Sequence, residues 1–277
     1  MPYARRWRWS VLAAAAVAAG CSRGVPATVP PPGGASQKLE IASSGHLLIS
    51  AEIEGRAFPM ILDTGASITS LSTATARELG VAPTGSMHIN RTIVAPTATL
   101  RTLAISGVDH ENLPIAIVDI PDALATGARG IVGLDVLARH DIVVDFAAQE
   151  FGVYPAGTLA SSRRELVQIA YGANGLIMMD VVLDGRATVP AMLDLGAPVS
   201  VLNRSAGRAI GARGAATRLV ARTGDARLGP VRAIVRDLGT FDRLGLAHRP
   251  ALVLGTDLLA DRVLGISYRD RVAFVSR

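Results

Sequence analysis

Most of the chain after residue 38 consists of short apolar runs separated by turn-forming residues. Residues 47–53 form one such run, which ends at Glu54-Gly55, and residues 176–183 form another, which ends at Asp184-Gly185. An apolar run closed by an acidic residue and a glycine is typical of a β-hairpin, because both residues tolerate the positive φ of the tightest hairpin turns. The pattern predicts two hairpins at equivalent places in the two halves of the chain.

Further strand signals and only a few helical ones complete the pattern. Residues 91–105 predict a hairpin around Ala95-Pro96-Thr97, and residues 217–235 predict one that turns at Thr223-Gly224-Asp225. The helical segments are brief: residues 73–79, 136–139, 204–210 and 258–260. The sequence therefore predicts an all-β chain with a few short helices.

The chain also repeats itself. Residues 191–211 align without a gap with residues 60–80, which lie 131 positions earlier. The shared positions pair Leu62, Asp63, Gly65, Ala66, Leu71, Arg77 and Gly80 with Leu193, Asp194, Gly196, Ala197, Leu202, Arg208 and Gly211. This internal duplication predicts two similar halves, each with one acidic turn.

Asp63 ends an apolar run and begins the tight turn Asp63-Thr64-Gly65. A carboxylate enclosed by protein is costly unless hydrogen bonds compensate for it. Thr64 offers a hydroxyl, and Gly65 leaves room for a backbone amide to approach. The tripeptide alone fits an ordinary surface turn equally well. The second copy, at Asp194, is what favours a functional carboxylate.

A second segment is duplicated as well. Residues 131–137 match residues 253–259, and each segment places a glycine, Gly133 or Gly255, after two apolar residues. Both segments continue to an aromatic residue thirteen positions after the glycine, Phe146 in one half and Tyr268 in the other. The pattern predicts a strand, a short helix and a final strand in each half.

The start of the chain predicts export. Residues 1–20 carry three arginines ahead of an apolar stretch that is too short to span a bilayer, which is typical of a signal peptide. This stretch ends just before Cys21, the only cysteine, in a pattern that resembles a bacterial lipoprotein signal. We therefore expect Cys21 to be lipidated and the protein to lie on the periplasmic side of a membrane, with the outer membrane favoured.

Composition limits the other possibilities. Residues 21–38 are rich in Pro, Gly, Ala and Ser and predict a tether. Without the signal peptide the formal charge falls from +5 to +2, because three basic and no acidic residues are removed, so a nucleic-acid partner is not expected. With one cysteine the chain can form no internal disulfide.

The two acidic turns and the two glycine segments resemble those of retropepsin-like aspartic proteases, and their doubling resembles the two-lobed plan of pepsin-like enzymes. The resemblance covers nearly all of residues 39–277. It implies two closed β-barrel lobes, residues 39–158 and 159–277, related by a pseudo-two-fold axis. In this family the glycine segment crosses beneath the catalytic turn and packs against it.

The resemblance also implies the chemistry. Asp63 and Asp194 would be the catalytic pair, supported by Thr64, Gly65, Ala66, Gly196, Ala197, Gly133 and Gly255. Such a pair shares one proton and activates a water that attacks the carbonyl of an extended peptide in the cleft between the lobes. It requires no metal and no cofactor, and both carboxylates come from one monomeric chain.

The second turn departs from the family pattern. Leu195 replaces the threonine, and Pro198 replaces the counterpart of Ser67. In the family the threonine hydroxyl reaches across to the opposite lobe, and Leu195 cannot make that bond. Two alternatives therefore remain open: a protein that binds extended peptides without cutting them, and a homodimeric protease that uses only Asp63.

Two further expectations concern the flap and the histidines. Residues 87–103 lie where the family has a flap over the substrate, with a tip expected near Ala95-Pro96 and a counterpart at residues 217–235. The five histidines show no spacing typical of a metal site. They are His46, His88, His110, His140 and His248.

Overall fold

The computed structural model describes residues 33–89, 94–160 and 166–276. The predicted signal peptide, Cys21 and most of the tether lie outside these residues. Residues 31–277 form one compact unit. None of the helices in the described ranges has the length and hydrophobicity needed to cross a bilayer.

The described residues are mainly β, as predicted. The strands β1 to β21 are, in order, Ala35–Lys38, Glu40–Ile41, Leu47–Ile53, Arg56–Leu62, Ser70–Leu71, Gly85–His88, Val94–Ile105, Val108–Ile117, Gly130–Val132, Asp141–Asp145, Glu150–Tyr154, Val167–Gln168, Ala170–Tyr171, Ile177–Leu183, Ala187–Leu193, Val201–Leu202, Ala216–Thr223, Ala226–Val235, Leu252–Leu254, Val263–Ser267 and Val272–Ser276. The helices α1 to α5 are Thr73–Glu78, Pro121–Leu124, Leu134–Leu137, Arg204–Ile210 and Gly239–Arg243, and two 3₁₀ turns are Ala173–Gly175 and Thr256–Leu259.

Two six-stranded barrels, one in each half, confirm the predicted fold class. The first runs in the order β3-β4-β9-β5-β8-β7 and closes through pairing of β3 with β7. The second runs β14-β15-β19-β16-β18-β17 and closes through pairing of β14 with β17. In each barrel the strand before the acidic turn pairs in parallel with the strand before the duplicated glycine, β4 with β9 and β15 with β19.

The hairpins that open the barrels form where the sequence predicts them. Glu54 and Gly55 have φ values of 50° and 79°, and Asp184 and Gly185 have 49° and 67°, as a type I′ turn requires. Along β3, Leu47, Ile49, Ala51 and Ile53 are buried, whereas the intervening Ser50 and Glu52 are exposed. Burying one such aliphatic side chain contributes about 1.5–3 kcal/mol, so this alternation fixes the register of the strand.

A third sheet joins the two halves and was not predicted. Its order is β1-β11-β10-β20-β21-β12, and all its pairings are antiparallel. Its centre is the pairing of β10 with β20, which runs from Asp141 opposite Ser267 to Asp145 opposite Val263. Strands β1, β10 and β11 come from the first half of the chain, and β12, β20 and β21 come from the second half. The sheet therefore links the two barrels through backbone hydrogen bonds.

β1 also begins inside the segment that the sequence assigns to the tether. Residues 35–38 pair with β11, from Ala35 opposite Val153 to Lys38 opposite Glu150. Three of the four residues of β1 are exposed, so the strand is held by its backbone pairing and leaves no hydrophobic signal. The prediction of a tether up to residue 38 is therefore wrong for these four residues.

The flap prediction also needs correction. The hairpin of β6 and β7 pairs Gly85 with Thr97 and His88 with Val94, so its connection is residues 89–93, of which 90–93 lie outside the described residues. Ala95 and Pro96 lie inside β7, opposite Met87 and Ser86, and not at the tip. Residues 217–235 do form the predicted hairpin, but it corresponds to β7 and β8, because β18 pairs with β16 as β8 pairs with β5. β6 has no counterpart among the described strands of the second barrel.

Candidate active site

The acidic turns occupy equivalent places in the two barrels. Asp63 directly follows β4, and its amide donates to Val132 O at 3.1 Å. Asp194 directly follows β15, and its amide donates to Leu254 O at 3.0 Å. The glycine strand thereby fixes the start of each turn.

The two turns face each other across the junction of the halves. A Cβ built on Gly65 would lie 2.6 Å from both carboxylate oxygens of Asp194. A Cβ built on Gly196 would lie 2.3 Å from Cγ of Asp63. Real Cβ atoms do not approach other atoms this closely, so each turn needs its glycine to make room for the opposite carboxylate. The reciprocal fit brings Asp63 and Asp194 together in one chain.

Backbone amides favour the charged form of Asp63. Gly65 N donates to Asp63 Oδ1 at 2.7 Å and Ala66 N donates to the same oxygen at 3.0 Å. The surrounding protein raises the pKa of Asp63, and these two amides oppose the rise. We conclude that Asp63 is better prepared than its partner to carry the negative charge.

Asp194 is better prepared to hold the proton. Both carboxyl groups keep a partial exposure, but protein surrounds them on the other sides. This enclosure, followed by the charge of Asp63, raises the pKa of Asp194 well above its usual range. The amides of Gly196, 2.9 Å from Oδ1, and of Ala197 only partly oppose this rise. Two carboxyl groups this close titrate as a pair.

Thr64 ties the two turns together from one side. Its buried hydroxyl donates to Leu193 O at 2.9 Å and accepts from Leu195 N at 2.9 Å, so one side chain satisfies two backbone groups of the opposite lobe. Leu195, which replaces the second threonine, is fully buried and belongs to the hydrophobic core. The Thr64 hydroxyl therefore makes hydrogen bonds from the first turn to the second, whereas Leu195 of the second turn contributes hydrophobic packing in place of the equivalent hydrogen bonds.

The glycine segments pack directly beneath the turns. A Cβ on Gly133 would lie 2.7 Å from the carbonyl carbon of Ile68, and one on Gly255 would lie 2.6 Å from Ala197 O. The residues after the glycines donate to the turns, Leu134 N to Ala66 O and Thr256 N to Ala197 O, both at 2.9 Å. Ala66 and Ala197 therefore act as backbone acceptors that hold the turns on their supports.

A pair of carboxylates beneath the turns was missed by the sequence analysis. Asp135 Oδ1 accepts from Thr69 N at 2.8 Å and from Thr69 Oγ1 at 2.7 Å, and Thr69 Oγ1 in turn accepts from Gly133 N at 3.1 Å. In the second barrel Asp257 and Ser200 make the same arrangement with Gly255 N. The signal was present, because both aspartates stand two positions after the duplicated glycine.

A turn of the first half, residues 42–46, also reaches the site. A Cβ on Gly45 would lie 2.9 Å from Pro198 Cβ, and Thr256 Oγ1 donates to Gly45 O at 3.4 Å. His46 follows, close enough to Asp63 for its charge to oppose the rise in the pKa of that group. The sequence predicts no role for His46, because a lone histidine carries no spacing signal.

Two other histidines contact each other away from the dyad. His140 Nε2 and His110 Nε2 lie 3.3 Å apart, and enclosure by protein lowers the pKa of His110 to about 4. No group of three or more His, Cys, Asp or Glu side chains is placed to hold a metal within the described residues.

Comparisons with known proteins agree with this geometry. Residues 49–136 match the family model described as aspartyl protease. The solved structure of basic 7S globulin from soybean aligns with 89% of this chain and 95% of its own, with a TM-score of 0.56 and 9% identity. This alignment shows that the two chains share the two-lobed pepsin-like fold.

A second solved structure is similar over a shorter range. A retropepsin-like aspartic protease from Rickettsia conorii aligns with 44% of this chain and 92% of its own, with a TM-score of 0.35 and 20% identity. No curated protein sequence matches this chain.

Proposed function

We propose that this chain, whose residues 49–136 match the aspartyl protease family model, is an aspartic endopeptidase whose catalytic pair is Asp63 and Asp194. One observation carries the proposal: Gly65 and Gly196 each leave the space that the opposite carboxylate fills. Enclosing two acids face to face is costly, and sharing one proton offsets much of that cost.

The asymmetry of the pair assigns the roles. Asp63, which accepts two amide hydrogen bonds, is the carboxylate that takes a proton from a water held between the two groups. Asp194, whose pKa is raised further by the charge of Asp63, is the acid that donates to the oxygen of the peptide carbonyl. The water oxygen bonds to the carbonyl carbon as its proton passes to Asp63. Asp63 then gives this proton to the amide nitrogen, the C–N bond breaks to release the amine, and a hydroxyl of the intermediate returns a proton to Asp194 as the carboxylic acid product forms.

The proposal includes the substrate and the cellular place. An extended peptide or protein segment would lie between the barrels, beneath the hairpin of β6 and β7, in a protein that acts as a monomer. The signal-like residues 1–20 and Cys21 support export and lipid attachment on the periplasmic side of a membrane, with the outer membrane favoured.

A peptide library tests the proposal directly. Residues 31–277 would be incubated with mixed peptides as wild type, Asp63→Asn and Asp194→Asn, and the products identified by mass spectrometry. We expect cleavage by the wild type only. Cleavage that survives Asp194→Asn would assign the chemistry to Asp63 alone. If the active protein elutes as a monomer in size-exclusion chromatography, the homodimeric alternative is ruled out.

A peptide-binding protein without catalysis is the second candidate. The observation that favours it is the altered second turn, in which Leu195 and Pro198 replace the polar residues of the first. If the wild type cleaves no peptide but retains peptides that both Asn variants also retain, this candidate replaces the endopeptidase.

The rate should peak at a pH closer to neutral than that of pepsin. Ala66 and Ala197 supply amides but no hydroxyl to stabilise the charged pair, and enclosure raises the pKa of both carboxyl groups. The acid limb of the pH–rate profile follows ionisation of the first carboxyl, so a raised pKa moves this limb to higher pH. Ala66→Ser should move it back toward lower pH, and a wild-type peak below about pH 3 would contradict the assignment.

A further inference from the structure

Four arginines project from the outer surface of the second barrel. They are Arg218 and Arg222 on β17 and Arg227 and Arg232 on β18, and all four are exposed. Their chain neighbours Leu219 and Leu228 are fully buried in the barrel. Because side chains alternate along a strand, the four guanidinium groups share the outer side, which we name the arginine face.

The arginines stand opposite one another in pairs. The register of β17 and β18 places Arg218 directly across from Arg232 and Arg222 directly across from Arg227. Like charges in such positions destabilise a hairpin. Within the described residues no ion pair joins any of the four to an acid. An external anion would offset this repulsion.

Three acidic residues lie close to the face. Asp180 is exposed on β14, two positions before Val182, which pairs with Arg222. Asp225 is exposed in the turn between β17 and β18. Asp184, in the neighbouring hairpin turn, accepts a hydrogen bond from Val220 N at 2.9 Å. Among the described residues, none of the three makes an ion pair with the arginine face. The hairpin of residues 216–235 carries four positive charges and one negative charge, and Asp180 and Asp184 add two negative charges beside it.

The equivalent hairpin of the first barrel has the opposite balance. β7 and β8 carry Arg101 against Asp109 and Glu111, and Arg101 forms an ion pair with Glu54 at 2.8 Å. The partner of Glu111 across the strands is Thr102, so no like charges meet there. The two equivalent hairpins have the same topology but opposite charge, so the fold itself does not require the arginine pairs.

A concavity lies beside one of these pairs. It has a volume of about 290 Å³ and is lined by Val182, Asp184, Val220, Ala221, Arg222 and Arg227. Its lining combines apolar residues with two arginines and the Asp184 carboxylate, which already accepts from Val220 N, so the lining carries a net charge of +1. Guanidinium groups bind phosphate oxygens through paired hydrogen bonds. It has the size and charge for the phosphate of one lipid headgroup.

We propose that the arginine face docks the protein on an anionic phospholipid bilayer, with one headgroup phosphate held between Arg222 and Arg227. A bilayer presents many headgroup phosphates, which matches a surface with several separated positive charges. The stretch from Cys21 to the start of β1 at Ala35 spans at most roughly 50 Å, which keeps the domain within reach of a membrane that holds Cys21. A basic face would add electrostatic attraction to anionic headgroups and fix the orientation of a domain attached through Cys21.

Vesicle binding tests the proposal without relying on activity. Residues 31–277 would be floated with vesicles of phosphatidylglycerol or phosphatidylcholine at low salt. We expect binding to the anionic vesicles only, weakened by added salt. Each arginine at an anionic surface strengthens binding roughly fivefold, so Arg222→Gln with Arg227→Gln should lose about thirtyfold. The control pair Arg77→Gln with Arg208→Gln removes equal charge from α1 and α4 and should lose far less.

Fluorescent labels test the orientation. Cys21 is the only cysteine of the chain, so Asp225→Cys gives residues 31–277 a single labelling site beside the arginine face, and Asp109→Cys gives one on the equivalent hairpin. Lipid-attached quenchers should quench the label at position 225 and leave the label at position 109 unchanged. Equal quenching of the labels at positions 225 and 109 would overturn the proposal. So would an equal loss of vesicle binding in the control pair, equal binding to anionic and neutral vesicles, or binding only to an acidic peptide.

Discussion

Asp194→Asn should abolish peptide cleavage and should also make the stability of the protein less dependent on pH. The substitution keeps the shape of the side chain and an oxygen that accepts from Gly196 N. It removes the acid that donates to the peptide carbonyl, and loss of one general acid lowers kcat by roughly two to four orders of magnitude. Folding should survive because the contacts of the turn are kept.

The effect on stability follows from the same pKa. Folding raises the pKa of Asp194 well above that of the unfolded chain, so the folded state binds a proton more tightly. The contribution to stability is complete below the unfolded pKa of about 3.9 and is lost as the pH rises through the folded pKa. An asparagine side chain cannot ionise, so the Asp194→Asn variant loses this part of the pH dependence.

Thermal unfolding from pH 4 to pH 8 measures the difference. The Tm of the wild type should fall more steeply over this range than that of Asp194→Asn. Asp225→Asn serves as the control, because Asp225 is exposed in a turn far along the chain from the dyad. If Asp194→Asn and Asp225→Asn follow the wild type equally, Asp194 is not the enclosed acid of a coupled pair.

The parts of the site that repeat in the sequence could be predicted from it. Asp63 and Asp194 lie at the same place in two copies of one pattern, and Gly65 and Gly196 accompany them because no other residue leaves space for the opposite carboxylate. The two hairpin turns were equally predictable, because their φ values favour glycine or an acidic residue.

The sheet between the barrels could not be predicted in the same way. β1 is mostly exposed and is held by backbone hydrogen bonds to β11, which any sequence can make. The pairing of β10 with β20 joins residues more than a hundred positions apart, and hydrophobic alternation identifies a strand without naming its neighbour. The position of His46 beside Asp63 depends on the same long-range packing.

The aspartates beneath the acidic turns were predictable only in part. Asp135 and Asp257 repeat two positions after Gly133 and Gly255, and Thr69 aligns with Ser200. The pattern alone does not say what an aspartate near a helix start contacts. The structure shows that each carboxylate fixes a hydroxyl that accepts from the glycine amide, so the repeated polar residues serve the turns from below.

Thr64→Val should destabilise the protein and slow cleavage together. Valine has nearly the same shape as threonine, but it cannot bridge Leu193 O and Leu195 N, which the Thr64 hydroxyl now joins at 2.9 Å each. A buried polar group left without a partner costs about 1–3 kcal/mol, so two such groups should lower the free energy of unfolding by about 2–6 kcal/mol. Leu195 provides no reciprocal hydroxyl that could satisfy these two backbone groups in place of Thr64.

The same variant separates the role of the hydroxyl from that of packing. Thr64→Ser keeps the bridge and removes one methyl group, so we expect it to retain most of the cleavage rate, whereas Thr64→Val loses the fixed spacing between Asp63 and Asp194. Urea unfolding and kcat would be measured for both. If the valine variant unfolds within about 0.5 kcal/mol of the wild type and cleaves as fast, the turns are held by Leu195 packing and the hydroxyl bridge is dispensable.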